Sequence, residues 1–306
     1  MKIAAALIKK AHPLLKPLHS RMLSRTPEGE RQTAPLFIVG PPRCGTTILY
    51  QIITNELRVN YFDNLSHLFY RDILVGVALS KSLYRENAHN CFTSNLGDTS
   101  SCGLHAPSEC GPFWRLFLPK EKHYLDENDL ETLHLEQIRR IFSVLFHKYA
   151  RPWVFKNLTL GMRLKLISRL WPGARLLRVR RDPAATVQSI LKARKKLGLR
   201  PNQWWSVRPP GFERFLSLPE TEMVARQVWA IEQQLDNDLG LFEKQNIYTL
   251  EYGPHMDDNE KLIPAIARFI GQTEKREDAR PYPFTPGNNA IAPEVADIIK
   301  KVFHAG

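Results

Sequence analysis

The feature that most constrains the fold is a short apolar run leading into a loop framed by two glycines. The run Leu36–Val39 is followed by Gly40, two prolines and Gly45, and residues 48–57 then repeat apolar side chains at helical spacing. This pattern predicts a buried strand, a tight turn and a helix. The backbone N–H groups of such a turn and the N-terminus of the helix bind anions such as phosphate. The segment therefore predicts an α/β fold with an anion site at one strand end.

The rest of the chain continues this alternation of strand and helix. Further apolar runs at 59–62, 153–155, 176–179 and 247–250 predict four more strands, and helical spacing is found at 130–145, 162–170, 224–242, 262–270 and 293–303. Alternating units of this kind are typical of a parallel sheet covered by helices. We therefore expect one α/β domain over residues 1–306, with three layers, a central parallel sheet of about five strands and helices on both faces. No internal repeat or interdomain linker is visible.

Three segments fall outside this pattern. Residues 1–34 form a basic arm that predicts either a docked or frayed terminus or an amphipathic helix able to touch a membrane surface. Residues 80–122 are rich in glycine, proline, serine and asparagine, and residues 199–219 contain tryptophan, proline and glycine. Both segments predict long loops. Because long loops in compact domains commonly bind ligands, we expect these two on the acceptor side of a site.

The glycine loop departs from the nucleotide P-loop at one position. The spacing from Gly40 to Gly45 is that of a P-loop, but Thr46 stands where NTPases have the lysine that reaches the β- and γ-phosphates. The positive charge lies instead at Arg43, whose planar guanidinium can bind phosphate or sulfate with two hydrogen bonds. The loop thus favours an anion other than Mg-ATP, although a P-loop kinase or NTPase remains an alternative.

A second basic segment lies about 130 residues further on. Residues 175–200 hold nine basic side chains and one acid, Asp182. Asp182 and Pro183 predict a helix that begins directly after the strand at 176–179. Arg181 then projects from the strand end and Ser189 lies about two turns into the helix, so that both can reach one phosphate. A loop and a strand end that each bind an anion fit a nucleotide with two separated phosphates.

Together, Pro42-Arg43-Cys44-Gly45-Thr46-Thr47 and the distant Arg181-Asp182-Pro183 with Ser189 resemble the sulfotransferases that use 3′-phosphoadenosine 5′-phosphosulfate (PAPS). The arginine in the first motif is similar to the variant of bacterial and carbohydrate enzymes. The resemblance implies a P-loop-like fold, PAPS as co-substrate, 3′-phosphoadenosine 5′-phosphate (PAP) as product and no metal. It assigns Arg43, Cys44, Gly45, Thr46 and Thr47 to the 5′ end, and Arg181 and Ser189 to the 3′-phosphate. Lys156 matches a basic position that faces the donor.

Sulfuryl transfer to a hydroxyl or amine also needs a base and cations near the leaving phosphate. Arg43 can provide charge stabilisation. The candidate bases are Glu109, in a glycine, proline and aromatic setting where burial would raise its pKa, and Asp63, close after the second predicted strand. His67 and His105 are further candidates. The sequence does not identify the acceptor, which can be a small molecule, lipid or carbohydrate; tryptophans 204, 205 and 229 and phenylalanines 212 and 215 are candidate pocket walls.

The overall charge and the cysteines complete the expectations. A net charge of +12 favours anionic partners, and a non-catalytic polyanion-binding protein is the second alternative. Aromatic residues do not interleave with the cations of the basic segment 175–200 as single-stranded nucleic acid binding requires, so we expect no nucleic acid partner.

The cysteines bear on metal binding and location. Cys91, Cys102 and Cys110 match no zinc spacing and are expected to be buried thiols. Four cysteines and the lack of a signal peptide or membrane-length apolar run predict a cytoplasmic, reducing location.

Overall fold

The structure, a computed structural model, describes residues 2–24, 34–253, 259–282 and 290–303. Within these ranges the strands are β1 (Leu36–Val39), β2 (Val154–Lys156), β3 (Arg175–Arg180) and β4 (Ile247–Glu251). The α-helices are α1 (Lys2–Ser24), α2 (Thr46–Glu56), α3 (Asn64–Leu68), α4 (Ile73–Tyr84), α5 (Gly111–Trp114), α6 (Glu127–Glu131), α7 (Leu135–Lys148), α8 (Leu164–Leu170), α9 (Pro183–Lys196), α10 (Glu220–Leu239), α11 (Asn259–Ile270) and α12 (Pro293–Phe303).

The four strands form one parallel sheet in the order β2-β1-β3-β4. Because all strands run the same way, their carboxyl ends lie along one edge, which brings the segments after β1 and β3 together. The predicted strand at 59–62 is wrong, since only Asn60 pairs with the sheet, by a single bridge to Trp153. The chain leaves the sheet there because Asp63 caps α3 with its side chain.

Alternate residues of β1 pack against opposite helical layers. Phe37 and Val39 belong to an apolar cluster with residues of α7, α8 and α10. Leu36 and Ile38 belong to a second cluster with residues of α2 and α11. A strand buried on both faces is characteristic of a parallel sheet between two helical layers, and the predicted three-layer α/β fold is confirmed.

The helix predictions hold with shifted boundaries. The stretch predicted at 130–145 is divided between α6 and α7, and residues 80–84, predicted as loop, form the last turn of α4. Gly271 has the left-handed φ of 69° expected after a helix end. The basic arm forms α1, which packs against α4 and α7, while Met1 and residues 25–33 lie outside the described residues. Throughout the described ranges, every helix is too short or too polar to cross a membrane.

Candidate active site

The loop between β1 and α2 depends on glycine at two close approaches. Gly45 has a φ of 107°, and a Cβ added there would lie 2.1 Å from Cδ2 of Tyr252. A Cβ at Gly40 would lie 2.6 Å from the carbonyl oxygen of Val179 in β3. Gly45 is also the N-cap of α2, and no side chain caps this helix. The first turn of α2 therefore presents N–H groups to the loop, as an anion site requires.

The two basic segments meet beside this loop. Nε of Arg43 donates to Oγ of Ser189 at 3.3 Å across 146 residues of sequence. Nη1 of Arg181 donates to the backbone carbonyl of Arg43 at 2.9 Å across 138 residues. The Arg181 guanidinium also lies over the Tyr252 ring, 5.0 Å from its centroid. Three residues that the sequence assigned to anion binding thus lie at one place in the fold.

The electrostatics of this place favour an anion. Loss of solvent contact, and next the neighbouring charge of Arg181, lower the pKa of Arg43. Two guanidinium groups held close together repel each other, and a phosphate bound between them relieves that repulsion. An anion therefore stabilises this arrangement of side chains.

Helix α9 begins as the sequence predicts. The Asp182 side chain accepts a hydrogen bond from the Ala185 N–H at 2.7 Å, and Pro183 is the first helical residue. Not every cation of this segment faces the site, however. Arg178 pairs with Glu232 and Asp236. Arg194 is buried and binds Glu220 and three loop carbonyls instead.

A cleft of about 280 Å³ opens where these elements meet. Residues of the loop, of the segments 92–97 and 205–206, and of the chain after β4 line it, among them Arg43, Thr46, Thr47, Arg181 and Tyr252. Among the described residues, its lining contains two arginines and no carboxylate. The cleft is therefore positively charged, and both predicted loop regions contribute to it.

Lys156 and Glu109 form a charged pair at one end of the cleft. Nζ of Lys156 donates to Oγ1 of Thr47 at 2.9 Å and to Oε1 of Glu109. The Lys156 side chain is 1% exposed, whereas that of Glu109 is 27% exposed. Oε2 of Glu109 accepts from the Leu158 N–H at 3.3 Å. A chain of polar contacts thus leads from the N-terminus of α2 to a carboxylate that still reaches solvent.

Gly97 marks the junction between this pair and the cleft. It has a φ of 99°, and a Cβ added there would lie 3.3 Å from Oε1 of Glu109 and 3.8 Å from Nζ of Lys156. Gly97 itself lines the cleft. The backbone of this loop therefore passes directly over the Lys156–Glu109 pair.

The other candidate bases lie away from the cleft. Asp63 is 1% exposed, and its carboxylate accepts from the Ser66 N–H at 2.8 Å and from the Ser80 hydroxyl. Burial raises the pKa of Asp63 to about 6. Nδ1 of His67 is 2.8 Å from Oγ of Ser108, and His105 stacks on Tyr84 with ring centroids 4.1 Å apart. None of these three residues is among the described residues that line the cleft.

The cysteines differ from the predicted set of buried thiols. Cys91 and Cys102 are joined by a disulfide, since the loop returns on itself and brings their Cα atoms to 5.6 Å. Nε2 of Gln51 in α2 donates to the Thr93 carbonyl at 3.1 Å and holds this loop over the cleft. Cys44 and Cys110 are buried free thiols. Burial raises the pKa of Cys44 to about 12, so that Cys44 provides the site with backbone only.

A second cavity of about 460 Å³ lies on the far side of Glu109. It shares Ser206 with the first cleft, and Glu109, Asn157, Trp204 and Arg208 are among its lining residues. Of the predicted aromatic walls, Trp204 lines this cavity and Trp205 lines the cleft. Phe215 is buried in an apolar cluster, and Trp229 packs against that cluster.

Tyr252 and Ser206 are among the lining residues that the sequence analysis did not name. Tyr252 follows β4 directly, and its position after a predicted strand was an available signal. Ser206 has a left-handed φ of 70°, and no sequence pattern indicates this conformation for a serine. Backbone conformations of this kind outside glycine are uncommon and concentrate at functional sites.

Comparison with known proteins agrees with this geometry. Residues 35–276 match the model of the sulfotransferase family. The omega-hydroxy-beta-dihydromenaquinone-9 sulfotransferases Stf3 of Mycobacterium bovis and Mycobacterium tuberculosis are each 22% identical over 259 residues, or 78% of this chain. The chain spans 62% of the length of these relatives. The crystal structure of sulfotransferase STF9 from Mycobacterium avium aligns with a TM-score of 0.51 at 12% identity, over 96% of this chain and 72% of that chain, which indicates a shared fold.

Proposed function

The chain belongs to the sulfotransferase family, and we propose that it transfers a sulfuryl group from PAPS to a hydroxyl of an acceptor bound beside Glu109. As a member of this family it is a transferase. The observation that carries the proposal is the contact of Arg43 with both Ser189 and Arg181. This contact brings the two segments predicted to bind anions together at one edge of the sheet, as a single nucleotide with two phosphates would require.

Each end of the donor has its own set of groups. The first-turn N–H groups of α2, with Thr46 and Thr47, bind the 5′ end, since no side chain caps this helix. Arg181 and Ser189 bind the 3′-phosphate. Arg43 stands between them, because its backbone belongs to the loop while its guanidinium lies against Ser189. The positively charged lining of the cleft suits a ligand with several negative charges.

The transfer step uses the pair at the end of the cleft. The acceptor oxygen attacks sulfur as the bond from sulfur to the bridging phosphate oxygen breaks, and that electron pair leaves with PAP. The hydroxyl proton passes to the carboxylate of Glu109. Lys156, whose Nζ donates a hydrogen bond to Oγ1 of Thr47 at 2.9 Å, stabilises the negative charge that grows at the 5′ end of the donor. Glu109 is the better base because its side chain reaches solvent next to the cleft, whereas Asp63 is 1% exposed and uses its carboxylate to cap α3.

A hydroxyl acceptor is also supported by the relatives. The name of the Stf3 proteins states an omega-hydroxy compound as what they sulfate. In this chain the exposed side of Glu109 lines the second cavity. We therefore assign the acceptor to that cavity, with its hydroxyl at the Glu109 end, where the cavity and the donor cleft share Ser206.

Thermal-shift titration of the purified chain tests the donor assignment without an acceptor. A ligand at about 100 times its Kd stabilises the native state by about 2.7 kcal/mol. We expect PAP to raise the melting temperature, and Mg-ATP and an oligonucleotide at equal concentration to have little effect. Gly45→Ala is the control, since its Cβ meets the Tyr252 ring and should remove the response to PAP. Stabilisation by Mg-ATP alone would indicate a kinase or NTPase, and stabilisation by oligonucleotide alone a polyanion-binding protein.

A further inference from the structure

The second cavity, beyond Glu109, has an unusual charge balance. Its lining contains four basic side chains and two carboxylates: Arg115, Lys120, Arg163, Arg208, Glu109 and Glu121. Both carboxylates already have partners. Glu109 pairs with Lys156 behind the wall, and Glu121 pairs with Arg208 and Lys120.

Among the residues that the structure describes, two guanidinium groups of this cavity have no carboxylate partner. Arg115 is exposed, and no ion pair involves it in the part of the chain that the structure describes. Arg163 is 2% exposed, and Nε and Nη2 donate to the carbonyls of Pro119, Lys122 and His123. These bonds leave Nη1 without a hydrogen-bond partner within the described ranges. Burial lowers the pKa of Arg163 to about 10 and no acidic neighbour opposes it.

The remaining lining residues add no negative charge. His123 is neutral at pH 7, because burial and next the charge of Arg163 lower its pKa to about 4. Nδ1 of His123 accepts a hydrogen bond from the backbone N–H of Arg208 at 3.0 Å. Trp204 is the one aromatic ring among the described lining residues, apart from that histidine. A wholly apolar acceptor in this cavity would cover the Arg115 guanidinium and Nη1 of Arg163 without giving either of them a hydrogen bond.

We infer that the acceptor carries an anionic group, a carboxylate or a phosphate or sulfate ester, which binds Arg115 and Arg163 while the acceptor hydroxyl faces Glu109. This inference rests on the proposed function, because it takes the second cavity as the acceptor pocket. A volume of about 460 Å³ accommodates a ligand of sugar or phenol size with its anion. Guanidinium groups bind such oxyanions with paired hydrogen bonds. Charge rather than apolar contact then selects the acceptor.

Matched acceptor pairs test this inference on the full chain saturated with PAP, which occupies the donor cleft. The pairs are 4-nitrophenyl β-D-glucuronide with the glucoside, 3-(4-hydroxyphenyl)propionate with the propanol, and glycerol 3-phosphate with glycerol. Calorimetric titration of the PAP-saturated chain measures binding, and PAP release from PAPS, in a separate assay without added PAP, measures transfer. We expect at least one anionic member to bind about tenfold or more tightly than its neutral partner. If no anionic member exceeds its partner, in binding or in transfer, the inference is wrong.

Variants connect such a preference to the cavity. Arg115→Met should remove most of the preference and leave the affinity for PAP unchanged, since Arg115 does not line the donor cleft. Lys120→Met is the matched control; its charge is already paired with Glu121, so it should keep the preference within about threefold. A preference that survives Arg115→Met overturns the assignment. Failure of PAP itself to bind would contradict the proposed function instead, so the two failures are distinguishable.

Discussion

Arg181→Met tests the donor site most sharply because its effect is measured without an acceptor. Arg181 has five N–H donors, one of which is committed to the Arg43 carbonyl at 2.9 Å. This bond and the Tyr252 ring hold the guanidinium in place. The remaining N–H groups are therefore oriented for a phosphate before the ligand binds, and little additional entropy is lost.

The expected loss follows from these contacts. A hydrogen bond to a charged group contributes about 1.5 to 3 kcal/mol. Because Arg181 is half-buried, water weakens the pair, and we take about 2 kcal/mol, which corresponds to about 30-fold in affinity. This loss should appear with PAP, which carries the 3′-phosphate, and should be absent with adenosine 5′-monophosphate, which lacks it.

Calorimetric titration of both nucleotides, on the wild-type protein and on the variant, isolates the interaction with the 3′-phosphate. Arg180→Met is the matched control, because Arg180 is adjacent, exposed and 3.9 Å from Glu251; we expect changes within about twofold there. The reasoning is refuted if Arg181→Met weakens both nucleotides equally, or if PAP keeps its full advantage in the variant.

Three further predictions address the base, a buried carboxylate and a buried cation. Glu109→Gln should lower kcat for PAP release by about 10² to 10⁴ with PAP affinity retained, while Glu121→Gln, in the same cavity, should stay near wild type; equal rates in the two variants would remove Glu109 as the base. Burial raises the pKa of Asp63 from 3.8 to about 6, so its contribution to stability is present below pH 4 and is lost as the pH rises through 6. In urea unfolding, the free energy of unfolding of Asp63→Asn, relative to that of the wild type, should rise by about 3 kcal/mol between pH 4 and pH 7.5. A difference that does not change with pH would contradict this. Arg194→Leu should cost about 3 to 5 kcal/mol of unfolding free energy, because it leaves Glu220 and three carbonyls unpaired, whereas the exposed Lys195→Leu should change it by less than about 0.5 kcal/mol.

The sequence predicted well which segments meet after β1 and β3, because local chemistry and topology act together there. Glycine spacing after β1 and the Asp182-Pro183 helix start are local signals that need no knowledge of distant contacts. Once four of the runs form parallel strands, both signals fall on the same edge of the sheet. Arg43 and Ser189 thus come within 3.3 Å although 146 residues separate them.

Other features depend on partners that carry no periodic signal. Arg163, Arg194 and Arg276 are nearly fully buried, although their sequence positions are those of ordinary surface cations. Each binds backbone carbonyls of irregular segments, and any residue type can present a carbonyl. The Cys91–Cys102 disulfide likewise results from the path of a loop. Such contacts are determined by tertiary structure, so composition and spacing do not predict them.

The two candidate carboxylates show why burial alone does not identify a base. The sequence predicts a buried Glu109, but its side chain is 27% exposed, whereas Asp63 is 1% exposed and burial raises its pKa. Asp63 uses its carboxylate to cap α3 and to accept from Ser80, so no oxygen is directed to the cleft. Glu109 lies beside Lys156 and opens into the second cavity. Since a base must first reach the proton that it takes, position favours Glu109 even though burial raises the pKa of Asp63 toward neutrality.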